Sequence, residues 1–185
     1  AEGFLNWVEH TLAISDTANF DGWDQETFEF KLVDHPNTLR SLVEEKNSQG
    51  FKARLLAGYA WHWTSEKEGN ANGEINDIIM EEYNFSMPWN SRNNSYSWAV
   101  DPDKAGQIGC IHTSQGLEFD YVGVIIGKDL RYDPETMTVY GSYDHYKDIP
   151  GKKGLKNKPM ELTSYIKNIY RVLLSRGMKG CYVFC

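Results

Sequence analysis

Residues 109–127 read GCIHTSQGLEFDYVGVIIG, and this stretch decides the fold. Two apolar runs, 108–111 and 121–127, stand on either side of a short polar turn at 112–118. Short continuous apolar runs are typical of strands buried on both faces, as in parallel sheets. The turn between them gathers hydroxyls, an amide, a glycine and a carboxylate. It therefore predicts a ligand site between two buried strands.

Helix and strand patterns alternate along the rest of the chain. Apolar spacing predicts helices at 3–12, 36–48 and 159–177, and strands at 27–33, 53–60, 75–80 and 181–184. Residues 64–76 are predicted to be a polar loop and 84–98 an irregular excursion. Pro36 after Asp34 or His35 is typical of a helix start, and Gly177 stands where a helix takes a left-handed cap. The order predicts an α/β fold with a mostly parallel sheet flanked by helices.

Length and composition limit the classes of protein to which the chain can belong. The chain has 185 residues, 41% hydrophobic and 14% aromatic, enough for one domain with one core. No apolar run approaches the roughly 20 residues that cross a bilayer, and the first residues do not resemble a signal peptide, so we expect a cytoplasmic protein. Cys110, Cys181 and Cys185 lack CxxC spacing and are expected to be reduced core residues. No His, Cys, Asp and Glu set has metal-ligand spacing.

Charge is unevenly distributed along the chain. A net charge of −7 argues weakly against a dedicated nucleic-acid binder, because phosphate contacts need clustered Lys and Arg. The exception lies within 128–158, a predicted variable basic insertion, where 146–159 (YKDIPGKKGLKNKP) holds five lysines and one Asp. A solvated Gly/Lys loop is the favoured interpretation, and a loop that follows a phosphate backbone is the alternative.

The position of the polar turn in the sheet predicts what it binds. Ligands of parallel α/β sheets bind in the loops that follow the carboxyl ends of strands, and we expect the turn at 112–118 to lie there. Hydroxyls, an amide, Gly116 and Glu118 suit phosphate groups and ribose hydroxyls.

Two motifs carry a resemblance to a known family. HTSQGLEFDYVGVIIG resembles motif V of superfamily 1 DNA and RNA helicases: a strand, a His/Thr/Ser turn, Gln or Lys, Gly-hydrophobic-Glu and a second strand. NIYRVLLSRGMKGCYVF resembles motif VI, a helix whose hydrophobic-Ser/Thr-Arg sequence precedes a closing strand. With GFLNWV, ARLLAGYAW and MPWN, nearly the whole chain resembles the Schlafen-type DNA/RNA helicase domain of uncharacterised bacterial proteins. The resemblance implies a RecA-like domain of the P-loop NTPase type.

The resemblance implies an ATP-binding role for four residues. Arg176 would be the catalytic arginine finger that reaches the γ-phosphate, with a helix C-terminal cation as the alternative. Glu118 would accept from ribose hydroxyls, with Gly116 giving room, or would be a surface carboxylate. Arg171 would be a second phosphate contact or a partner for a carboxylate such as Asp120. Because it lies five residues before Arg176, we expect it to point elsewhere.

The start of the turn is implied to bind nucleic acid. Thr113 and Ser114 would contact a phosphate, or would only cap the turn. Gln115 would couple the nucleotide and nucleic-acid sites, or would stabilise the turn. His112 follows a predicted buried strand, and a packed, hydrogen-bonded histidine is the favoured alternative to a nucleic-acid contact.

The resemblance also implies what the chain lacks. No segment matches the phosphate-binding pattern GxxxxGK[ST]. We therefore interpret residues 1–185 as a single second RecA-like motor domain without its own P-loop, a fragment of a longer two-domain protein. The implied cofactors are ATP and Mg²⁺, with the metal held by the missing N-terminal RecA-like domain of the same chain. The implied polymer partner is single-stranded DNA or RNA, and no membrane partner is expected.

Three functions follow from these observations. The leading one is the C-terminal motor domain of an ATP-dependent helicase or translocase. The second is a nucleotide-dependent switch or RNA-processing NTPase without unwinding activity. The third is a binding module unrelated to nucleotides, such as a carbohydrate reader, which predicts an all-β fold with an aromatic platform. Tyr59, Trp61 and Trp63 could form such a platform or stack on bases, although core packing is the favoured interpretation.

Overall fold

A computed structural model describes residues 2–68, 75–90 and 97–185, with helices and strands alternating along the chain. The helices are α1 (Glu2–Thr11), α2 (Pro36–Ser48), α3 (Ser65–Glu68), α4 (Ile111–Ser114) and α5 (Pro159–Leu174). The strands are β1 (Glu29–Val33), β2 (Ala53–Ala57), β3 (Ile78–Met80), β4 (Phe85–Met87), β5 (Phe119–Ile125), β6 (Leu130–Asp133), β7 (Thr138–Gly141) and β8 (Gly177–Phe184).

The centre of the fold is a parallel sheet with the strand order β1-β8-β5-β2. Helix α2 packs on one face, where the bare backbone of Gly123 in β5 leaves room for Leu39 and Val43. Helix α5 packs against β5 and contacts α1 and α4. Every residue of β2 is buried, as the short apolar run at 53–60 predicts. The predicted α/β fold with a parallel sheet flanked by helices is confirmed.

Helix α2 has the bounds that its sequence predicts, and its cap shows why. His35 is extended (φ −141°, ψ 131°), and its Nδ1 accepts a hydrogen bond from the Asn37 N–H at 3.2 Å. Pro36 follows in the first turn, where a backbone N–H would have no acceptor within the helix, so the absence of one in proline costs nothing. The cap is therefore His35 and not Asp34.

The junction between α5 and β8 differs from its prediction. The helix ends at Leu174 with Ser175 as its C-cap, and Gly177 begins β8 without a left-handed conformation. A Cβ at Gly177 would lie 2.1 Å from the Gly180 carbonyl oxygen. The predicted cap at Gly177 is therefore wrong, because a close backbone approach explains this glycine.

Residues 108–110 extend the sheet without forming a full strand. Gly109 exchanges two backbone hydrogen bonds with β2, each of 2.9 Å, and Ile108 donates to the Pro88 carbonyl at 2.9 Å on its other side. Both pairings are parallel single bridges. The predicted strand at 108–111 is thus too long, because α4 begins at Ile111 and takes the chain out of the sheet.

The two polar segments of the middle of the chain are only partly described. Strands β3 and β4 pair antiparallel, so the strand predicted at 75–80 exists but is shorter. Residues 69–74 of the predicted loop and 91–96 of the predicted excursion lie outside the described residues. Trp89, within the excursion, is fully buried.

The basic region 128–158 is anchored to the core over much of its length. Strands β6 and β7 form an antiparallel hairpin. Tyr146 is fully buried, and the backbone N–H of Lys147 donates to the Tyr59 carbonyl at 2.7 Å. The ammonium of Lys152 lies 4.6 Å from the centre of the Tyr143 ring. Only the last part, with its exposed lysines, has the character of a solvated loop.

The aromatic run at 59–63 packs into the domain. Tyr59 is 7% exposed, and its ring meets Trp89 edge to face with centroids 4.8 Å apart. Trp63 also meets Trp89, at 6.5 Å, and Trp61 lies against the bare backbone of Gly127. These contacts agree with the core-packing interpretation. The parallel α/β sheet contradicts the all-β fold that a carbohydrate-reading module predicts.

All three cysteines lie in the described ranges and none forms a disulfide. Cys110 and Cys181 are buried, as predicted, whereas Cys185 is exposed. The expectation of a core residue is therefore wrong for Cys185. Among the helices of the described ranges, none combines the length and the apolar character that crossing a bilayer requires.

Candidate functional site

The first half of the polar turn is held together by its own hydroxyls. The Thr113 hydroxyl accepts from the Cys110 N–H at 2.7 Å and lies 3.0 Å from the Cys110 carbonyl oxygen. The Ser114 hydroxyl donates to the same carbonyl at 2.9 Å and is fully buried. Both side chains therefore satisfy backbone groups of the one-turn helix α4. Ser114 has no surface from which to contact a nucleic acid in this conformation.

His112 lies on the outer side of α4. Its side chain is exposed, and its ring meets Tyr59 edge to face with centroids 6.0 Å apart. The favoured alternative of a packed histidine at the end of a buried strand is wrong, because α4 has already left the sheet. Gln115, the C-cap of α4, is exposed as well.

The second half of the turn lies at the opposite edge of the sheet from its predicted place. Glu118 immediately precedes β5, and in the register of the sheet Phe119 pairs with Gly177, the first residue of β8. Glu118 is therefore at the amino ends of the strands, whereas 108–110 approach the carboxyl end of β2. The prediction that all of 112–118 follows the carboxyl ends is wrong for Gly116 and Glu118, since α4 carries the chain back across the sheet.

The backbone of this second half is specialised. Gly116 has φ +75°, a conformation that side chains with a Cβ rarely adopt. Glu118 is exposed, and its carboxylate has no hydrogen bond or ion pair with another described residue. A free carboxylate at an exposed edge can accept hydrogen bonds from a ligand.

Arg176 joins the end of α5 to this turn. Its backbone carbonyl accepts from the Phe119 N–H at 3.0 Å. Its Nε donates to the Val172 carbonyl at 3.1 Å, and its Nη1 donates to the Leu117 carbonyl at 3.4 Å. The guanidinium thus contacts the residue that precedes Glu118 in the chain, and its Nη2 forms no hydrogen bond with a described residue.

Arg171 lies near Arg176 and not on a separate side of the helix. Its Nε forms an ion pair with the carboxylate of Glu9 in α1. The predicted alternative partner, Asp120, instead accepts from the backbone N–H of Lys52 at 2.9 Å. The alternative of a carboxylate partner is therefore confirmed, but with Glu9 in place of Asp120, because α1 packs along the end of α5. The expectation that Arg171 points away from Arg176 is wrong.

A pocket of about 290 Å³ opens between α1 and α5. Its lining residues are Leu5, Val8, Glu9, Arg171, Val172, Ser175 and Arg176. Two guanidinium groups with one carboxylate leave this pocket with an excess of one positive charge. Such a pocket suits an anion with several oxygens, because arginine offers donors in a planar fork.

The described residues offer a metal ion no ready site. No group of three or more His, Cys, Asp or Glu side chains in residues 2–68, 75–90 and 97–185 is arranged to hold one.

One family profile matches the whole chain. The family is described as "Schlafen group 3, DNA/RNA helicase domain", and the match covers residues 1–185. The chain belongs to this family. The Schlafen-type resemblance of the sequence is thereby confirmed, whereas the superfamily 1 and bacterial parts of it stay predictions.

This Schlafen group 3 domain is also similar to a protein of Saccharomyces cerevisiae, the uncharacterized protein YPL245W. The two are 25% identical over 200 residues, which covers 99% of the chain and 42% of the yeast protein. The domain thus spans less than half the length of this curated relative.

A solved structure with some likeness to the Schlafen group 3 domain is the C-terminal domain of a possible DNA helicase from Lactobacillus plantarum. The likeness covers 100% of this chain and 84% of that chain, with 9% identity and a TM-score of 0.42. A score at this level adds nothing to the fold assignment, which follows from the strand order itself.

Two charged residues of the Schlafen group 3 domain were missed in the sequence. Glu9 looked like an ordinary helix-surface acid, because its partner Arg171 is distant along the chain. Asp129 accepts from the Tyr170 hydroxyl at 2.6 Å, and that hydroxyl accepts from the Gly127 N–H at 3.1 Å. Burial raises the pKa of Asp129 to about 6, although the Tyr170 hydrogen bond opposes this shift. An Asp two residues after the end of an apolar run was the one sign of this network.

Proposed function

We propose that this domain is the C-terminal motor domain of an ATP-dependent DNA or RNA helicase or translocase. In this proposal it supplies one half of an ATP site, and an N-terminal RecA-like domain of the same protein supplies the other. The observation that carries the proposal is the contact between the two motifs: Arg176 of motif VI donates to Leu117, next to the exposed Glu118 of motif V. Membership of a helicase domain family supports it.

The proposed ATP contacts divide between phosphates and sugar. Arg176 is the arginine finger, which stabilises the charge that develops on the transferred phosphoryl group. Arg171 binds a phosphate oxygen through its two Nη groups, which form no hydrogen bond with a described residue. Glu118 accepts from the ribose hydroxyls, and Gly116 keeps the backbone bare beside it. The free donors and the free carboxylate fit the anionic and hydroxyl ends of a nucleotide.

Mg²⁺ is assigned to the other domain. The resemblance implies that residues of the N-terminal domain hold the metal, and in this proposal they hold it beside the phosphates. The residues of this chain then act only on the nucleotide: they bind it, orient it and neutralise its negative charge.

The proposed nucleic-acid surface is the outer side of α4. His112 and Gln115 are exposed and can donate to phosphate oxygens of a single strand of DNA or RNA. Thr113 has a partly exposed side chain, but its hydroxyl already serves the turn. The buried Ser114 hydroxyl stabilises the turn through its hydrogen bond to the Cys110 carbonyl. The turn thus connects a nucleic-acid surface at one end to the ATP edge at the other.

The test uses the intact protein and the 185-residue chain side by side. The intact protein should hydrolyse ATP, faster with single-stranded DNA or RNA, and should separate duplex strands. The chain alone should fold, bind ATP weakly and hydrolyse it no faster than background, because it lacks the loop that cradles the phosphates. ATP turnover without strand separation would identify the switch or RNA-processing NTPase instead. Strong hydrolysis by the chain alone would overturn the shared site.

A further inference from the structure

We propose that Glu9 is a positioning residue, which directs Arg171 so that Arg171 and Arg176 act on the same phosphate group. The inference rests on the proposed ATP site and goes beyond it, because neither motif contains Glu9. The ligand class is a nucleoside polyphosphate, recognised through its phosphate oxygens.

The carboxylate of Glu9 is itself fixed. One oxygen forms the ion pair with Arg171, and the other accepts from the Ser15 hydroxyl at 2.9 Å. The Glu9 side chain is 15% exposed, whereas that of Arg171 is 50% exposed. Glu9 is therefore held in place by the protein, whereas the side chain of Arg171 reaches from Glu9 toward solvent. A carboxylate bonded through both oxygens has little freedom to follow the arginine.

The ion pair uses the inner edge of the guanidinium. Glu9 contacts Nε, and neither Nη group of Arg171 forms a hydrogen bond with a described residue. Because the guanidinium is planar, fixing Nε also fixes the direction of the other donors. Those donors belong to a side chain that lines the same pocket as Arg176.

Glu9 also reduces the electrostatic repulsion between the two arginines of the pocket. Two guanidinium groups that share one pocket repel each other, and an unpaired Arg171 would turn toward solvent. The negative charge of Glu9 offsets one positive charge and holds Arg171 in the pocket. The pocket still carries one net positive charge for an incoming phosphate.

A purely structural role for the pair is the competing explanation. An ion pair between α1 and α5 could simply join the two helices. Pairs in which one side chain is half exposed contribute little to folding stability, since solvent screens them. A structural role therefore predicts small changes in melting temperature and none in nucleotide affinity.

The experiment compares Glu9→Gln, Arg171→Ala and the double variant in the intact protein. Steady-state ATP hydrolysis gives KM and kcat, and equilibrium binding of a fluorescent, non-hydrolysable ATP analogue gives affinity without turnover. We expect each single variant to raise KM and the analogue Kd by roughly tenfold, as loss of a charge-assisted contact does, with a much smaller change in kcat. The double variant should be no worse than Arg171→Ala, because Glu9 acts through Arg171.

Glu44→Gln is the matched control. It breaks an Arg–Glu ion pair on α2, Arg40 with Glu44 at 2.7 Å, away from the pocket. Unchanged affinity in Glu9→Gln beside weakened affinity in Arg171→Ala would overturn the positioning role and leave the proposed function standing. Unchanged affinity in both Glu9→Gln and Arg171→Ala would show that the ion pair has only a structural role. Failure of the parent protein to bind or hydrolyse ATP would overturn both proposals.

Discussion

The guanidinium Nη1 of Arg176 lies 3.4 Å from the carbonyl oxygen of Leu117, and the Arg176 carbonyl accepts from the Phe119 N–H at 3.0 Å. The arginine thus contacts the chain on both sides of Glu118. Two segments that are far apart in sequence meet as one unit at the amino edge of the sheet. A change in the direction of one must disturb the other.

Arg176→Lys in the intact protein should reduce nucleic-acid-stimulated ATP turnover at least about a hundredfold. Lysine keeps the charge but not the planar fork of donors, so it cannot reach the Val172 and Leu117 carbonyls and a phosphate together. The melting temperature should move only slightly. The control is Arg40→Lys, which changes an arginine with an exposed side chain on α2 and should leave turnover unchanged. The arginine-finger role is wrong if turnover survives or if its loss simply follows unfolding.

Glu118→Gln should raise the KM for ATP with little effect on folding. The proposed bond joins a carboxylate to a sugar hydroxyl, and a charge-assisted hydrogen bond contributes about 1.5–3 kcal/mol. Stability should not change, because Glu118 is exposed and bonds to no other described residue. Steady-state kinetics on the intact protein measures the effect, with the exposed Glu82→Gln as control. Equal KM values in the two variants would make Glu118 an ordinary surface carboxylate.

Asp129→Asn should remove a pH dependence of stability. Burial raises the pKa of Asp129 to about 6, whereas an unfolded Asp titrates near 3.9. Between these values the folded state keeps a proton that the unfolded state has lost, so stability falls as pH rises through the window. Above it, the buried charge costs on the order of 3 kcal/mol.

The measurement for Asp129 is the free energy of unfolding in denaturant at pH 4.5 and pH 7, for parent chain and variant. The advantage of Asp129→Asn over the parent should grow from the lower pH to the higher. Any mismatch of the new amide group adds a constant that does not vary with pH. A difference that stays flat across the window would mean that Asp129 titrates normally.

Gly58→Ala should destabilise the chain by about 1–3 kcal/mol, as overpacking of a buried site does. The new Cβ would lie 2.5 Å from the Tyr170 hydroxyl oxygen and 3.2 Å from a carboxylate oxygen of Asp129. Gly106→Ala is the control, since nothing lies within 4 Å of its Cβ position. Denaturant unfolding of both variants is the measurement. Coinciding transitions would show that Tyr170 moves aside without loss.

Local patterns were enough to predict much of the fold. The helix at 36–48 has its predicted bounds because a proline, a capping side chain and an apolar stripe agree there. The strand at 108–111 was overestimated because an apolar run does not reveal where its hydrogen bonds go. Gly177 was misread because a cap and a close backbone approach both call for glycine.

The candidate site was less predictable, for a physical reason. The two motifs predicted roles for Arg176 and Glu118, but not the edge of the sheet at which their segments meet, since that depends on how α4 returns across the sheet. The Arg171 partner depends on where α1 packs, a long-range contact that helical spacing does not encode. Whether these residues bind ATP stays a prediction.

Strand β8 lies between β1 and β5, although it is the last of the four along the chain. During synthesis on a ribosome, β1 therefore leaves the exit tunnel long before β8, its neighbour among the described strands, has been made. At roughly 5–20 residues per second, the wait is on the order of ten seconds. Throughout that interval the unpaired edge of β1 and the aromatic side chains around it are open to wrong pairing.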